Sequence, residues 1–422
     1  MDTVADYHPR IADGLLAAAL KSAGAAQIVG PKWCGKTTTA ERAARSAIYL
    51  QDPDRRADYA RLAGVQPSLL LEGERPRLID EWQDQPVLWD AVRFAVDRGH
   101  DVGQFILTGS SIPAQDEIRH TGTGRVSRVV MRPMSLAESG ESNRSVSLRD
   151  IFDGADVTGQ ATLPLDYLAL SLIRGGWPAS VVTSDEYSAK RAADYADSIA
   201  ESDISRVDGI DKNPRRVRLL LRSLARNEST EAAMTTLRAD MAADDGVVSV
   251  NTIAVYLAAL RRLYVLEDQE PWAPAVRSKV VQRTSPIRRF CDPSIPAALL
   301  RLTPDKLVTD FNTFGLLFES LCVRDLRTYA EAADASVWHY RDARGLECDA
   351  IIEHADGRWG AVEIKLDKTR EDEAAANLLR LQGAVRSQHA GPASFLLVLT
   401  ADGYAYRRPD GVYSVPISCL GP

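Results

Sequence analysis

The sequence predicts an α/β multidomain chain whose first part is built on a parallel sheet, and three observations carry that reading. Its 422 residues exceed what one hydrophobic core can organise, so two to four domains are expected. Hydrophobic residues make up 45% and charged residues 26%, the globular average, which excludes a disordered, collagenous or coiled-coil chain. From about residue 10 to 140, short apolar runs alternate with helical patterns, the order that a parallel sheet with covering helices requires.

Taken in order, AAQIVG (25–30), SAIYL (46–50), RPRLID (75–80) and QFILTGS (104–110) read as strands of a first domain, 1–140. Residues 141–205 are polar and then helical, a lid or linker in which the break at Gly175–Pro178 ends one helix before the next begins. Residues 206–284 read as three helices and a short ribbon, the order of a winged helix, with Ser249 or Asn251 capping the third helix. Residues 285–422 hold a long helix (GLLFESLCVRDLRTYA), three strands (VWHYRD, CDAIIE, WGAVEIKL), a helix (DEAAANLLRLQGAV) and a strand (SFLLVLT), an α/β unit of its own.

Lysine and arginine number 51 against 58 acids, a net charge of −7, which excludes a basic coat over the whole protein but not a local stripe. No apolar run reaches the roughly 18 residues of a membrane span. The start has neither a basic nor an apolar leader region, and the five cysteines are scattered and never spaced as CxxC. A cytoplasmic protein without membrane contact is therefore expected. The six histidines show no ligand spacing and read as surface or packing residues, and Trp177, Trp272, Trp338 and Trp359 as packing.

Gly30, Pro31, Lys32, Trp33, Cys34, Gly35, Lys36 and Thr37 fit GxxxxGK[ST], follow an apolar strand, and continue through Thr38 into a helix. Such a loop wraps backbone N–H groups around phosphate oxygens while the helix N-terminus adds partial positive charge. The expected ligand is ATP, with Lys36 on the β- and γ-phosphates and the Thr37 hydroxyl on Mg²⁺. Cys34 would expose nucleotide binding to thiol oxidation. Farther on, Leu78-Ile79 end in Asp80 and Glu81: Asp80 is expected in the Mg²⁺ shell and Glu81 as the group that orients and polarises the attacking water. The run 105–107 ends in Thr108-Gly109-Ser110-Ser111, whose hydroxyls, Ser110 among them, could sense the γ-phosphate or simply form a turn. Arg125 reads either as an arginine finger, in its own chain or across an oligomer, or as half of a structural ion pair; for Arg128 the ion pair is preferred.

LIDEWQ, FILTGSS, GRVSRVVMRPMSLAE, RGGWPASVV and DISR resemble successive motifs of AAA+-type P-loop ATPases of the AAA-14 group. CDPSIPAALL, LLFESLCVRDLRTYA, HYRDARGLECDAIIE and AVEIKL with DEAAANLLRL are similar to the domain-of-unknown-function 4143 family that accompanies that ATPase. The resemblance covers roughly residues 10–400. It implies a prokaryotic AAA+-like P-loop NTPase core, a winged-helix segment and a restriction-endonuclease-like α/β domain. One departure is Trp33, where the family often has a small residue.

Asp349, followed fourteen residues later by Glu363-Ile364-Lys365, resembles the PD-(D/E)XK nuclease pattern. Residues two apart on a strand leave the same face, so Glu363 and Lys365 would meet Asp349 across paired strands. With Glu319 in the preceding helix as a fourth member, the acids would bind Mg²⁺ or Mn²⁺ and Lys365 would position the water. The alternative is a cross-face salt bridge. Arg215, Arg216, Arg218, Arg222 and Arg226, then Arg277, Lys279, Arg283, Arg288 and Arg289, form two basic stripes that suit either DNA or RNA phosphates or an interdomain surface. Two functions follow: an ATPase coupled to nucleic-acid binding or cleavage, or a slow ATP-dependent switch with a catalytically silent C-terminal domain, either of them compatible with a homo-oligomer.

Overall fold

The apolar runs of the first part assemble into one parallel sheet. The computed structural model describes residues 7–111, 123–183, 187–207, 209–245, 248–274, 285–386 and 391–422. Contacts divide the chain into two compact units where the sequence suggests four domains: one comprises 1–133, 199–214 and 255–265, the other 134–198, 215–254 and 266–422. Residues 206–284, expected as a winged-helix domain, are thus shared between the two units.

In the first unit, strands β1 (Ala25–Val29), β2 (Ser46–Tyr49), β3 (Arg77–Asp80), β4 (Phe105–Gly109) and β5 (Val126–Val130) lie in the order β2-β3-β4-β1-β5, all parallel. The helices are α1 (Ile11–Ser22), α2 (Lys36–Ala43), α3 (Arg56–Val65) and α4 (Val87–Gly99). Successive strand residues bury on opposite faces. Ile28, Leu78 and Ile106 pack with Leu16 on one face, while Ile79, Leu107 and Phe105 pack with Trp82 and Val92 on the other. Strand β5 had no apolar run to announce it, because as an edge strand it keeps Arg128 exposed. The order matters for chemistry: β4 lies between β1 and β3, so the tips of all three open at one sheet edge.

The second unit contains β6 (Val146–Ser147), β7 (Gly159–Gln160), and the helices α5 (Leu165–Arg174), α6 (Ser188–Ser198), α7 (Pro214–Arg226) and α8 (Met234–Asp245). Helix α9 (Val250–Arg262) follows, its residues from 255 on counted with the first unit, then an antiparallel ribbon of β8 (Leu266–Gln269) and β9 (Ile287–Phe290). A seven-stranded mixed sheet closes the unit. Its strands are β10 (Ala335–Arg341), β11 (Glu347–His354), β12 (Trp359–Lys365), β13 (Phe395–Thr400), β14 (Tyr404–Arg407) and β15 (Tyr413–Pro416), in the order β10-β11-β12-β13-β15-β14-β7. β10 to β12 run antiparallel, β13 lies parallel to β12, and β16 (Leu420–Gly421) pairs with β6. Helices α10 (Phe311–Ala332) and α11 (Glu371–Arg386) pack against this sheet. Trp272 and Trp359 stack at 4.8 Å in its core. Among the described residues no helix is long and apolar enough to cross a membrane.

Candidate active site

The loop between β1 and α2 is shaped by its glycines. Gly30 has φ 153°, and a Cβ there would stand 2.0 Å from the Met131 carbonyl oxygen, so no larger residue fits without moving backbone. Gly35 (φ 102°) turns the chain into α2. Trp33 also takes a left-handed φ, 65°, with its ring 59% exposed; a bulky residue there carries roughly 1–3 kcal/mol of strain. The loop is braced from inside by Arg10, whose guanidinium donates to the carbonyls of Cys34 and Arg132, both at 2.8 Å. The Cys34 thiol is fully buried and donates to the Met131 carbonyl at 3.4 Å. That burial works against the expected sensitivity of the loop to oxidation. Lys36, also buried, donates from Nζ to the Pro31 carbonyl at 2.8 Å, which keeps the ammonium over the loop.

The acids of β3 meet this loop through β4. Asp80 Oδ1 accepts hydrogen bonds from the hydroxyls of Thr37 at 2.8 Å and Thr108 at 2.6 Å. Burial raises the Asp80 carboxyl above its ordinary range, and the two hydroxyls oppose that shift. Two hard oxygens side by side suit the magnesium that accompanies ATP. Thr108 in turn accepts from the Glu81 amide at 3.1 Å. Glu81 adopts a left-handed φ of 54°, and its Oε2 accepts the Ser110 hydroxyl at 2.9 Å and the Gln83 side-chain amide. Ser110, expected as a nucleotide contact, donates to the Glu81 carboxylate. The sequence singled out neither Arg10 nor Gln83. Gln83 was findable, since a residue two beyond Glu81 in a tight turn can fold back on it; Arg10 carries no local signal. Thr38 lies on the exposed face of α2, and Lys32 pairs with Asp203 at 2.6 Å.

Arg125 lies elsewhere. Its carbonyl accepts from Ala25 at the start of β1, whereas the nucleotide loop follows Val29, about 13 Å farther along the strand. Its guanidinium pairs with Asp97 of α4. This corrects the reading of Arg125 as a finger in its own chain: the N-terminal end of a parallel strand is the wrong end of the sheet. Arg128, for which an ion pair is expected, donates instead to the Tyr264 hydroxyl at 2.8 Å.

In the second unit the structure brings Asp349, Glu363 and Lys365 together on adjacent strands. Lys365 Nζ stands 2.7 Å from Glu363 and 3.3 Å from Asp349, Asn377 of α11 donates to Glu363 at 2.7 Å, and the Ile364 amide donates to Asp349 at 2.7 Å. Glu319 instead accepts from buried Arg289 at 2.6 Å. Burial pushes both Glu319 and Glu363 up to about 7. Burial also disfavours the Lys365 ammonium, but Asp349 and Glu363 more than offset it and hold its pKa above the ordinary value. Among the described residues no group of three or more His, Cys, Asp or Glu side chains could hold a metal ion. The expected Mg²⁺ or Mn²⁺ site of Glu319, Asp349 and Glu363 is corrected accordingly: Lys365 pairs with Glu363 and Asp349, and Arg289 pairs with Glu319.

The basic stripes divide. Arg277, Lys279 and Arg283 lie outside the described residues. Arg289 is 1% exposed and donates to Gln269, Ser229 and Glu319, while Arg288 donates to the Ala232 carbonyl. Both serve the interior of their unit rather than a phosphate backbone. On α7 the buried positions are Val217, Leu220, Leu221, Ser223, Leu224 and Ala225, and Arg215, Arg222 and Arg226 are exposed.

Three families match parts of the chain: AAA_14, described as AAA domain, over residues 23–140; a domain of unknown function (DUF8612) over 165–306; and a domain of unknown function (DUF4143) over 314–420. No curated protein matches. Among solved structures, the Walker-type ATPase PABY2304 of Pyrococcus abyssi is similar at 16% identity over 70% of this chain and 96% of its own, with a TM-score of 0.45. The chain thus resembles an AAA domain over residues 23–140 and a DUF4143 domain over residues 314–420.

Proposed function

We propose that the first unit hydrolyses ATP at the edge where β1, β3 and β4 end. The observation that carries this reading is the junction of Thr37, Asp80 and Thr108, which unites the phosphate loop with the acidic strand tip through hydrogen bonds of 2.8 and 2.6 Å. Backbone amides of the loop and the N-terminus of α2 receive the phosphates, and Lys36 leaves the Pro31 carbonyl to pair with the β- and γ-oxygens. Thr37 and Asp80 would hold magnesium, which when bound neutralises charge on the phosphates. Glu81, held by Ser110 and Gln83, orients the attacking water and takes its proton. Phosphate release from ATP by the full chain, set against Lys36→Ala, tests the reading; equal release by both proteins refutes it.

The second unit supports the switch rather than the nuclease. Lys365 pairs with Glu363 and Asp349, and Arg289 with Glu319, an arrangement suited to structure more than to metal-assisted hydrolysis. The exposed arginines of α7 support contact between this unit and a polyanion such as DNA or RNA. If so, nucleic acid alters ATP turnover and is recovered uncut; cleavage that Asp349→Ala abolishes would overturn the silent-domain reading.

A further inference from the structure

A cleft of about 320 Å³ opens within the second unit, lined by Leu219, Arg222, Ser223 and Arg226 of α7, by Asp240 of α8 and by Leu300. The four α7 positions are spaced i, i+3, i+4 and i+7, so they share one helix face. Farther back on the helix, Arg218 pairs with Asp197 at 3.4 Å. Arg222 and Arg226 differ: both are exposed and, among the described residues, neither has a hydrogen bond or ion pair. Two like charges one turn apart repel each other, and an anion held between them removes that cost.

A carboxylate in the same cleft restricts what that anion is. Ser223, itself buried, donates its hydroxyl to Asp240 Oδ2 at 2.7 Å, and the Asn227 side-chain amide donates to the same oxygen at 3.4 Å. Asp240 Oδ1 accepts no hydrogen bond among the described residues. A free carboxylate oxygen repels a plain polyanion and calls for an N–H donor. The cleft therefore offers guanidinium groups for a phosphate, an acceptor for an amino group, and the apolar side chains of Leu219 and Leu300 for a ring face. A base with an exocyclic amino group, carried on its sugar phosphate, meets all three; a carboxylate accepts from the amino group of cytosine in this way. The volume lies at the low end of the roughly 300–1,000 Å³ of ligand sites, which suits one unpaired nucleotide and not a duplex.

We propose that this cleft receives one unpaired, amino-bearing nucleotide of a single-stranded nucleic acid: Arg222 and Arg226 bind its phosphate, and Asp240 accepts from the amino group of its base. The inference rests on the reading above that the exposed arginines of α7 meet a polyanion, and it names that polyanion and the part of it that is recognised.

Fluorescence anisotropy of labelled oligo-dC and oligo-dU of equal length, titrated with the full chain without ATP, tests it. The two strands carry the same phosphates, and only cytosine has an amino group. The wild-type chain is expected to bind oligo-dC about 10-fold more tightly, the worth of one hydrogen bond to a charged group. Asp240→Asn keeps an acceptor for Ser223 but presents an amide on the free side, and is expected to abolish that preference. Arg222→Ala and Arg226→Ala are expected to weaken both strands alike, each lowering the slope of log affinity against log salt by about 0.7. Equal binding of the two strands by the wild type overturns the proposal, as does an Asp240→Asn chain that retains the preference. Duplex DNA bound more tightly than oligo-dC overturns it too, and CMP bound as tightly as oligo-dC assigns the cleft to a free nucleotide instead. A wild-type chain that binds no nucleic acid fails the polyanion reading itself, before the base is tested.

Discussion

Lys365→Ala strips the shared cation from two carboxylates. The ammonium lies 2.7 Å from Glu363 and 3.3 Å from Asp349, and Glu363 is buried. Breaking a buried pair by removing one member costs about 3–5 kcal/mol, because the remaining charge is left desolvated. The cost depends on pH with a definite sign. Burial already raises the folded Glu363 pKa to about 7 from an ordinary 4.5, and loss of the lysine raises it further. A raised carboxyl keeps its stability contribution below the unfolded pKa and loses it as pH rises through the folded one. The deficit of Lys365→Ala is therefore small near pH 5 and grows as pH rises past about 7. Urea unfolding read by tryptophan fluorescence reports on this core, since Trp272 and Trp359 pack in it. A deficit below about 1 kcal/mol near pH 8, or equal deficits at both pH values, refutes the reasoning. A wild-type midpoint raised by millimolar Mg²⁺ or Mn²⁺ refutes it as well, because it places a metal where the lysine is taken to act.

Glu81→Gln keeps the contacts to Ser110 and Gln83 within reach but removes the base, so steady-state phosphate release is expected to fall about 10²–10⁴-fold with ATP affinity retained. Arg125→Ala breaks a half-exposed pair with Asp97 and is expected to cost under about 1 kcal/mol in unfolding assays, with ATP turnover unchanged. Glu228 is buried, accepts the Ser320 hydroxyl at 2.7 Å, and burial pushes its carboxyl up to about 7. Glu228→Gln is therefore expected to flatten the decline in stability between about pH 5 and pH 8, by up to about 3 kcal/mol; an unchanged pH profile of the unfolding midpoint would contradict the shift.

How far the site could be read depends on how local each of its parts is. The loop from Gly30 to Thr37 was legible because every member sits within eight residues and its glycines are required by backbone geometry. Asp80 and Glu81 were legible as a strand tip. That Thr108 bridges them to Thr37 was not, since it depends on β4 lying between β1 and β3. The sequence also placed Asp349, Glu363 and Lys365 on one face, from the two-residue period of a strand. It could not tell that the lysine would sit between the acids, or that Arg289 would arrive from the ribbon to take Glu319.

Arg125 marks the boundary. Composition, periodicity and one short motif alone determined an α/β chain with a phosphate-binding loop and an acidic strand tip, because those features are written in residues close along the chain. Where the Arg125 guanidinium lies was decided by the tertiary structure. Parallel strands put Arg125 at the far end of the sheet, where Asp97 of α4 pairs with it. Strand direction leaves no periodic trace in a sequence, so charge alone could not choose between a finger and an ion pair.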